Sequence, residues 1–351
     1  MNPARLVTTL LLAVLCSASM AAEPVTDSAG KPPGSGPVKV YILAGQSNME
    51  GKAKMSLVDY QAGQPLTAEL FRHWRRGEQW IERDDVWIKF LDRQGRLTVG
   101  YGSPGCIGPE LEFGAVVGDR SESPVLLIKT AWGGRSLYRD FRPPSARLPD
   151  EAVLQRMLDD ERRQNPAATL DDVRARFGKA YREMFDEIHD TLHHLAERFP
   201  ALDGREYELS GFVWLQGWND MISADYTAEY TANLAHFIRD VRRDLKSPRL
   251  PFVIGQMGVD GDLPSEGIQR FKNAQAAVLD LPEFQNGGVT LVATDQYWDT
   301  EAEAVFKKGW REHLDEWNKV GSDYPYHYLG SPRTMLGMGR GFAEAVIQME
   351  N

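Results

Sequence analysis

Five short stretches of the chain are almost entirely apolar: residues 38–44, 125–131, 210–215, 251–256 and 289–294. Each is too short for a core helix and does not alternate between polar and apolar, so each is expected to form a strand buried on both faces. Between them the apolar positions recur every three to four residues. The clearest case is a long helix over 169–199, with Val173, Phe177, Tyr181, Phe185, Ile188, Leu192 and Leu195 on one face and Pro200 ending it. Helices are also expected over 226–245, 268–279, 300–320 and 330–347. Another opens at Gly108-Pro109-Glu110, where a proline and early acidic residues suit a helix start. Two short strand-like runs, 86–90 and 96–100, suggest a hairpin, placed beside the candidate site described next. Buried strands alternating with helices predict one doubly wound parallel α/β sheet. No repeat or break in composition divides residues 37–351. A helical insertion is expected around 138–200, beginning with a Pro-rich, charged excursion over 138–168.

Three of the strands end alike. The first runs into Gly45-Gln46-Ser47-Asn48-Met49, the second into Trp132-Gly133-Gly134-Arg135-Ser136, the third into Gln216-Gly217-Trp218-Asn219-Asp220. Open α/β sheets keep their sites at the carboxyl ends of the strands. A serine there can act as a nucleophile once a base takes its proton. The charge it creates on an acyl group needs donors aimed at the new oxyanion. The N–H groups of Ser47 and of Gly133 or Gly134, with the Asn219 amide, would provide them. Of seven histidines, His73 and His313 lie among charges, and His189, His193, His194 and His236 lie on helices. His327 remains, in a loop before the last helix, with Asp323 four residues earlier to orient its ring. The first turn is not Gly-x-Ser-x-Gly, so the sharp elbow of α/β-hydrolases is not indicated. His189 and His193 have the spacing of metal ligands but no companion carboxylate motif, and no metal site is expected.

Composition narrows the setting. Of 351 residues, 42% are hydrophobic and 26% charged, ordinary for a large globular core. The net charge of -10 argues against nucleic acid or an anionic membrane as partner. Residues 1–22 carry a basic start, an apolar run too short to span a bilayer, and small residues for cleavage, the grammar of a signal peptide. Export to the periplasm or beyond follows as the expectation. Residues 23–36 read as a flexible lead-in. Cys106 would then be the single cysteine of the mature chain, so no internal disulfide is expected.

The blocks Gly-Gln-Ser-Asn-Met, Gly-Gly-x-Ser, Trp-x-Gln-Gly-x-Asn-Asp and the late Asp/His pair, in this order, resemble the SGNH-hydrolase superfamily. More narrowly, they and the Gly-Pro-Glu-Leu-Glu-Phe-Gly segment are similar to its sialate O-acetylesterase-like branch, which includes acetylxylan esterases. The resemblance spans about residues 38–348. It implies a flavodoxin-like three-layer α/β/α fold and a Ser-His-Asp hydrolase that removes O-acetyl groups from carbohydrates without a cofactor. Matched residue by residue, Ser47 is the nucleophile, Gly133 or Gly134 and Asn219 the donors, and His327 the base. Gln46 and Gln216 are expected to hydrogen-bond sugar or the loop backbone, and Trp218 to stack on a sugar ring. Two positions depart from the branch. Trp218 stands where several members carry Glu, and Asp323 and His327 are separated by three residues rather than two. Asp299, or a dyad with a backbone carbonyl on the histidine, is therefore an alternative to Asp323. A lipase or thioesterase on the same scaffold, or a non-catalytic carbohydrate-binding protein, are the competing functions.

Overall fold

The computed structural model describes residues 34–285 and 287–350; the signal-peptide reading lies outside the described residues. Seven strands form the central sheet: β1 (Val38–Gly45), β2 (Val86–Phe90), β3 (Arg93–Arg96), β4 (Val125–Ala131), β5 (Tyr207–Leu215), β6 (Phe252–Gln256) and β7 (Val289–Ala293). Their order is β7-β6-β5-β1-β4-β2-β3, parallel throughout except for the β2–β3 pair at the edge. All five apolar runs are strands of this sheet. The α/β class expected from them holds, with the flavodoxin-like order among those five.

The 86–90 run is a strand of the central sheet. It pairs in parallel with β4 and widens the sheet, because all five of its residues are buried. Its partner is 93–96 rather than 96–100, since Leu91 turns the chain sharply with φ 52°. Alternation along each strand then assigns the layers. Gly211 lies against Val346, whereas Phe212 on the opposite face meets Phe237. The first face carries α1 (Glu110–Arg120) and α7 (Pro332–Glu350). The second carries α4 (Lys179–His193), α5 (Ala224–Asp244) and α6 (Glu266–Ala276).

The long helix expected over 169–199 is three. A capped helix α3 (Leu170–Arg176) ends where Phe177 turns extended and Gly178 adopts a left-handed φ of 67°; α4 follows, then a single turn. The apolar periodicity continues through the break because Val173 and Phe177 pack into a separate cluster with α2 (Glu151–Arg162), while Tyr181, Phe185 and Ile188 pack on the sheet. Likewise 300–320 splits into helices Thr300–Lys307 and Leu314–Val320 around Gly309, whose φ is 97°.

The register fixes where chemistry can occur. Gly45 at the end of β1 is opposite both Ala131 of β4 and Leu215 of β5. Two residues beyond these three positions stand Ser47, Gly133 and Gly217. Chain order reverses about β1, the place where doubly wound sheets open a crevice.

Candidate active site

Gly45 lets β1 and β5 close on one another at the strand ends. A Cβ on it would fall 2.1 Å from the Leu215 carbonyl oxygen. The chain then makes one helical turn, Ser47–Glu50, with Ser47 only 6% exposed. The Ser47 Oγ lies 3.0 Å from His327 Nε2. On the other side of the ring, Nδ1 is 3.2 Å from Asp323 Oδ2, within ion-pair reach although the N–H is not aimed squarely at the oxygen. Burial would raise the Asp323 carboxyl, but the approach of His327 and the Tyr324 N–H outweigh it and hold it below the usual carboxylate range. Asp299, the alternative acid, is spent elsewhere. Its Oδ1 caps helix Thr300–Lys307 through the N–H groups of Glu301 and Ala302, and its Oδ2 accepts from Ser331.

His327 reaches the serine from a contorted loop. Tyr328, Leu329 and Gly330 follow it with φ of 52°, 60° and 56°, a left-handed run that costs non-glycine residues on the order of 1–3 kcal/mol each. Burial holds it there. The Tyr328 hydroxyl accepts from the Gly258 N–H and pairs with Thr294, and Leu329 is fully buried. On the serine's side, the Asn48 amide donates to the Tyr326 carbonyl at 3.1 Å, so the nucleophile's neighbour grips the histidine's neighbour.

Two backbone donors set the orientation of the amides on the far side. The N–H groups of Gly217 and Asn219 point at Gln46 Oε1, at 3.1 and 3.4 Å. Backbone donors cannot exchange roles, so Gln46 Nε2 must face Asn219, and it donates to Asn219 Oδ1 at 3.1 Å. Asn219 Nδ2 is thereby left without a partner in this network. Gln216 Nε2 reaches Gln46 Oε1, the Arg135 carbonyl and Asp220 Oδ2. Gln46 and Gln216, at 2% and 3% exposure, are held by these internal bonds. Of the two partners expected for them, loop backbone is the one they have. Trp218 is partly exposed and lies against Tyr326, with ring centroids 5.6 Å apart.

The glycines differ from one another. The Gly133 N–H is taken by Glu50 Oε1 at 2.5 Å. Gly134, with φ 72° and open space around its Cα, has an N–H that no group of the described residues accepts. Gly133 thus serves as an anchor and Gly134 carries the free donor. Burial opposes the Glu50 charge, but Lys52, Ser103 and the Gly133 N–H together hold its carboxyl below the ordinary value. Beneath it, the fully buried Lys129 donates to the Glu50 and Tyr101 carbonyls and to Glu110 Oε2 at 2.6, 2.7 and 2.8 Å. Sequence reasoning passed over Glu50, Asn48 and the Lys129–Glu110 pair. A signal was present in the last: a lysine inside an apolar strand must find an internal partner. Asp220, also fully buried, accepts from the N–H groups of Leu137 and Tyr138 and ties the third strand's turn to the second's. Burial pushes its carboxyl up to about 7 against these donors.

Among the described residues no cluster of His, Cys, Asp or Glu could hold a metal ion. His189 and His193 are exposed on α4.

Serine, histidine and aspartate in a row at the carboxyl edge of a parallel sheet, with amide donors about the serine, form an arrangement suited to acyl transfer from an ester. Residues 37–304 match the model of the family described as SASA, carbohydrate esterase, sialic acid-specific acetylesterase, and the chain belongs to this family of carbohydrate acetylesterases. No curated protein matches the sequence. Among solved structures, the chain is similar to a protein from Arabidopsis thaliana, at 16% identity and TM-score 0.49, over 89% of this chain and 98% of that one. It is also similar to a carbohydrate acetylesterase from Xanthomonas citri, at 14% identity and TM-score 0.46, over 89% of this chain but only 56% of that one. A third likeness, to NanS, is at 16% identity and TM-score 0.41, over 73% and 78% of the two chains.

Proposed function

We propose that the protein is an exported serine esterase that removes O-acetyl groups from a sugar through an acetyl-Ser47 intermediate. The 3.0 Å approach of Ser47 Oγ to His327 Nε2 carries this reading. His327 takes the proton of Ser47 as the oxygen attacks the acetyl carbonyl, and Asp323 stabilises the imidazolium that forms. The oxyanion is received by the Ser47 N–H, the Gly134 N–H and Asn219 Nδ2, each donor worth on the order of 3 kcal/mol to the transition state. The bond from the acetyl carbon to the sugar oxygen then breaks, and His327 gives its proton to that departing oxygen. Water, deprotonated by the same ring, releases acetate and regenerates Ser47. Trp218 offers its ring face to the sugar that carries the acetyl group. Membership of a sialic acid-specific family supports an acetylated sialic acid as substrate, with acetylated xylan as the competing one.

The test is Ser47→Ala. Hydrolysis of p-nitrophenyl acetate and acetate release from acetylated glycans should vanish, while circular dichroism and melting temperature stay near native. Stoichiometric labelling by a fluorophosphonate should vanish with them. Residual activity at the native level in Ser47→Ala would sink the assignment.

A further inference from the structure

A second feature begins where the row of three residues ends. Behind Asp323 opens a cleft of about 570 Å³, within the range of small-molecule sites. One wall is the chain that carries the acid, Gly321 to Tyr324. The facing walls are helices Met55–Ala62 and Leu314–Val320, with Phe306 and Trp310 at the end. Three large side chains on these walls stay open to solvent: Tyr60 at 37%, Tyr324 at 39% and Leu314 at 49%. Polar groups alternate with them: Lys54, Ser56, Asn318 and Ser322.

The cleft is joined to the serine's surroundings by aromatic rings in unbroken contact. Trp218 meets Tyr326 at 5.6 Å, and Tyr326 stacks on Tyr324 at 5.5 Å with planes 4° apart. Tyr324 meets Trp310 edge-on at 6.1 Å. Asp323 and His327 sit within this strip, His327 against Tyr326 at 4.5 Å. Ring faces flanked by hydroxyl, amide and ammonium groups match a pyranose, whose flat C–H face seeks the negative face of an aromatic ring and whose rim is hydroxyl. A long-chain acyl group would offer the side chains of Lys54, Ser56 and Asn318 no hydrogen-bonding partner.

We infer that the cleft lined by Tyr60, Tyr324 and Trp310 is a second saccharide subsite, holding sugar units of the acetylated glycan beyond the one whose ester is cleaved. The inference rests on the esterase reading above for its occupant, and on the continuity of the aromatic strip for its position. The substrate is then an acetylated oligosaccharide rather than a free acetylated monosaccharide. Its occupation also covers the partly exposed Asp323 carboxylate, so a longer substrate gains in kcat as well as in KM.

Two substrate pairs test this: O-acetylated sialic acid against O-acetylated sialyllactose, and O-acetylated xylose against O-acetylated xylotetraose. The longer member of the cleaved pair should show a higher kcat/KM in the native enzyme. Tyr60→Ala, which removes a ring, and Ser56→Trp, which fills the cleft, should each lower that value about tenfold relative to the short member. Separately, calorimetric titration of Ser47→Ala with sialyllactose and xylotetraose should give binding that Tyr60→Ala in the same background weakens. Equal kcat/KM for short and long substrates, or variants that slow both members equally, overturn the subsite. So does failure of both oligosaccharides to bind Ser47→Ala. Binding that depends on Tyr60 with no cleavage of any acetylated sugar would leave the subsite standing and defeat the esterase reading instead.

Discussion

Gln46→Glu isolates how the amide side of the site works. The substitution keeps Oε1 as acceptor for the N–H groups of Gly217 and Asn219. It replaces the group that faces Asn219 Oδ1, a donor at 3.1 Å, with a carboxylate oxygen. Two acceptors cannot face each other in a site that is 2% exposed, so Asn219 must turn its amide over. Its Nδ2 then points at the introduced carboxylate and its carbonyl points where the oxyanion forms. Losing one such donor costs about 3 kcal/mol of transition-state stabilisation, which is roughly a 10²-fold drop in kcat. Asn219→Ala should lose a similar amount, because it removes the same donor. The double variant should be no slower than Asn219→Ala alone, giving a coupling energy of about 3 kcal/mol. The assay is kcat and KM on p-nitrophenyl acetate for the four proteins, with melting temperatures to show that each is folded. Gln46→Ala adds a control: it leaves two backbone N–H groups without their acceptor, at about 1–3 kcal/mol each, and should lower stability more than Gln46→Glu does. Native-like kcat in Gln46→Glu, or losses that add in the double variant, would refute the idea that Gln46 acts through Asn219.

Asp323→Asn should cut kcat by about 10²–10⁴-fold, whereas Asp299→Ala should leave kcat intact and lower stability by about 1 kcal/mol through its lost helix cap; steady-state kinetics with urea unfolding separates the two acids. Lys129→Met should destabilise by about 3–5 kcal/mol, because it leaves the Glu110 carboxylate buried without its cation, and adding Glu110→Gln should recover much of that in the same unfolding assay. The Asp220 carboxyl is raised from 3.8 to about 7 in the fold, so its contribution is fully present below pH 3.8 and is lost as pH rises through about 7. Over that window the native chain should lose up to ~4 kcal/mol relative to Asp220→Asn, read as the difference of two stability–pH curves; parallel curves would count against it.

The sheet was legible because its strands are buried on both faces. Residues 38–44 or 125–131 have no room for polar alternation, and a continuous apolar run is the trace this leaves. Breaks in the helices were hidden for a related reason. Val173 and Phe177 continue the spacing of Tyr181 and Phe185 yet face a different cluster, and periodicity does not record which neighbour a face meets. Ser47, the Gly133-Gly134 pair and His327 could be picked out because acyl transfer needs those residue types and strand ends are where they can meet. Their distances could not. The 3.0 Å between Ser47 and His327 depends on a left-handed turn at 328–330 that only burial of Tyr328 and Leu329 sustains.

By itself the sequence determined the layered α/β architecture, the three strand ends and the residue types placed there, since these follow from local pattern and from chemistry. Tertiary structure alone decided which glycine keeps a free N–H, which aspartate faces His327, and that Gln46 and Gln216 bond to the loop backbone. Each of those is a choice among chemically equivalent groups. Gly133 and Gly134, or Asp299 and Asp323, differ only in what the folded chain brings beside them: Glu50 for one glycine, a helix end for one aspartate.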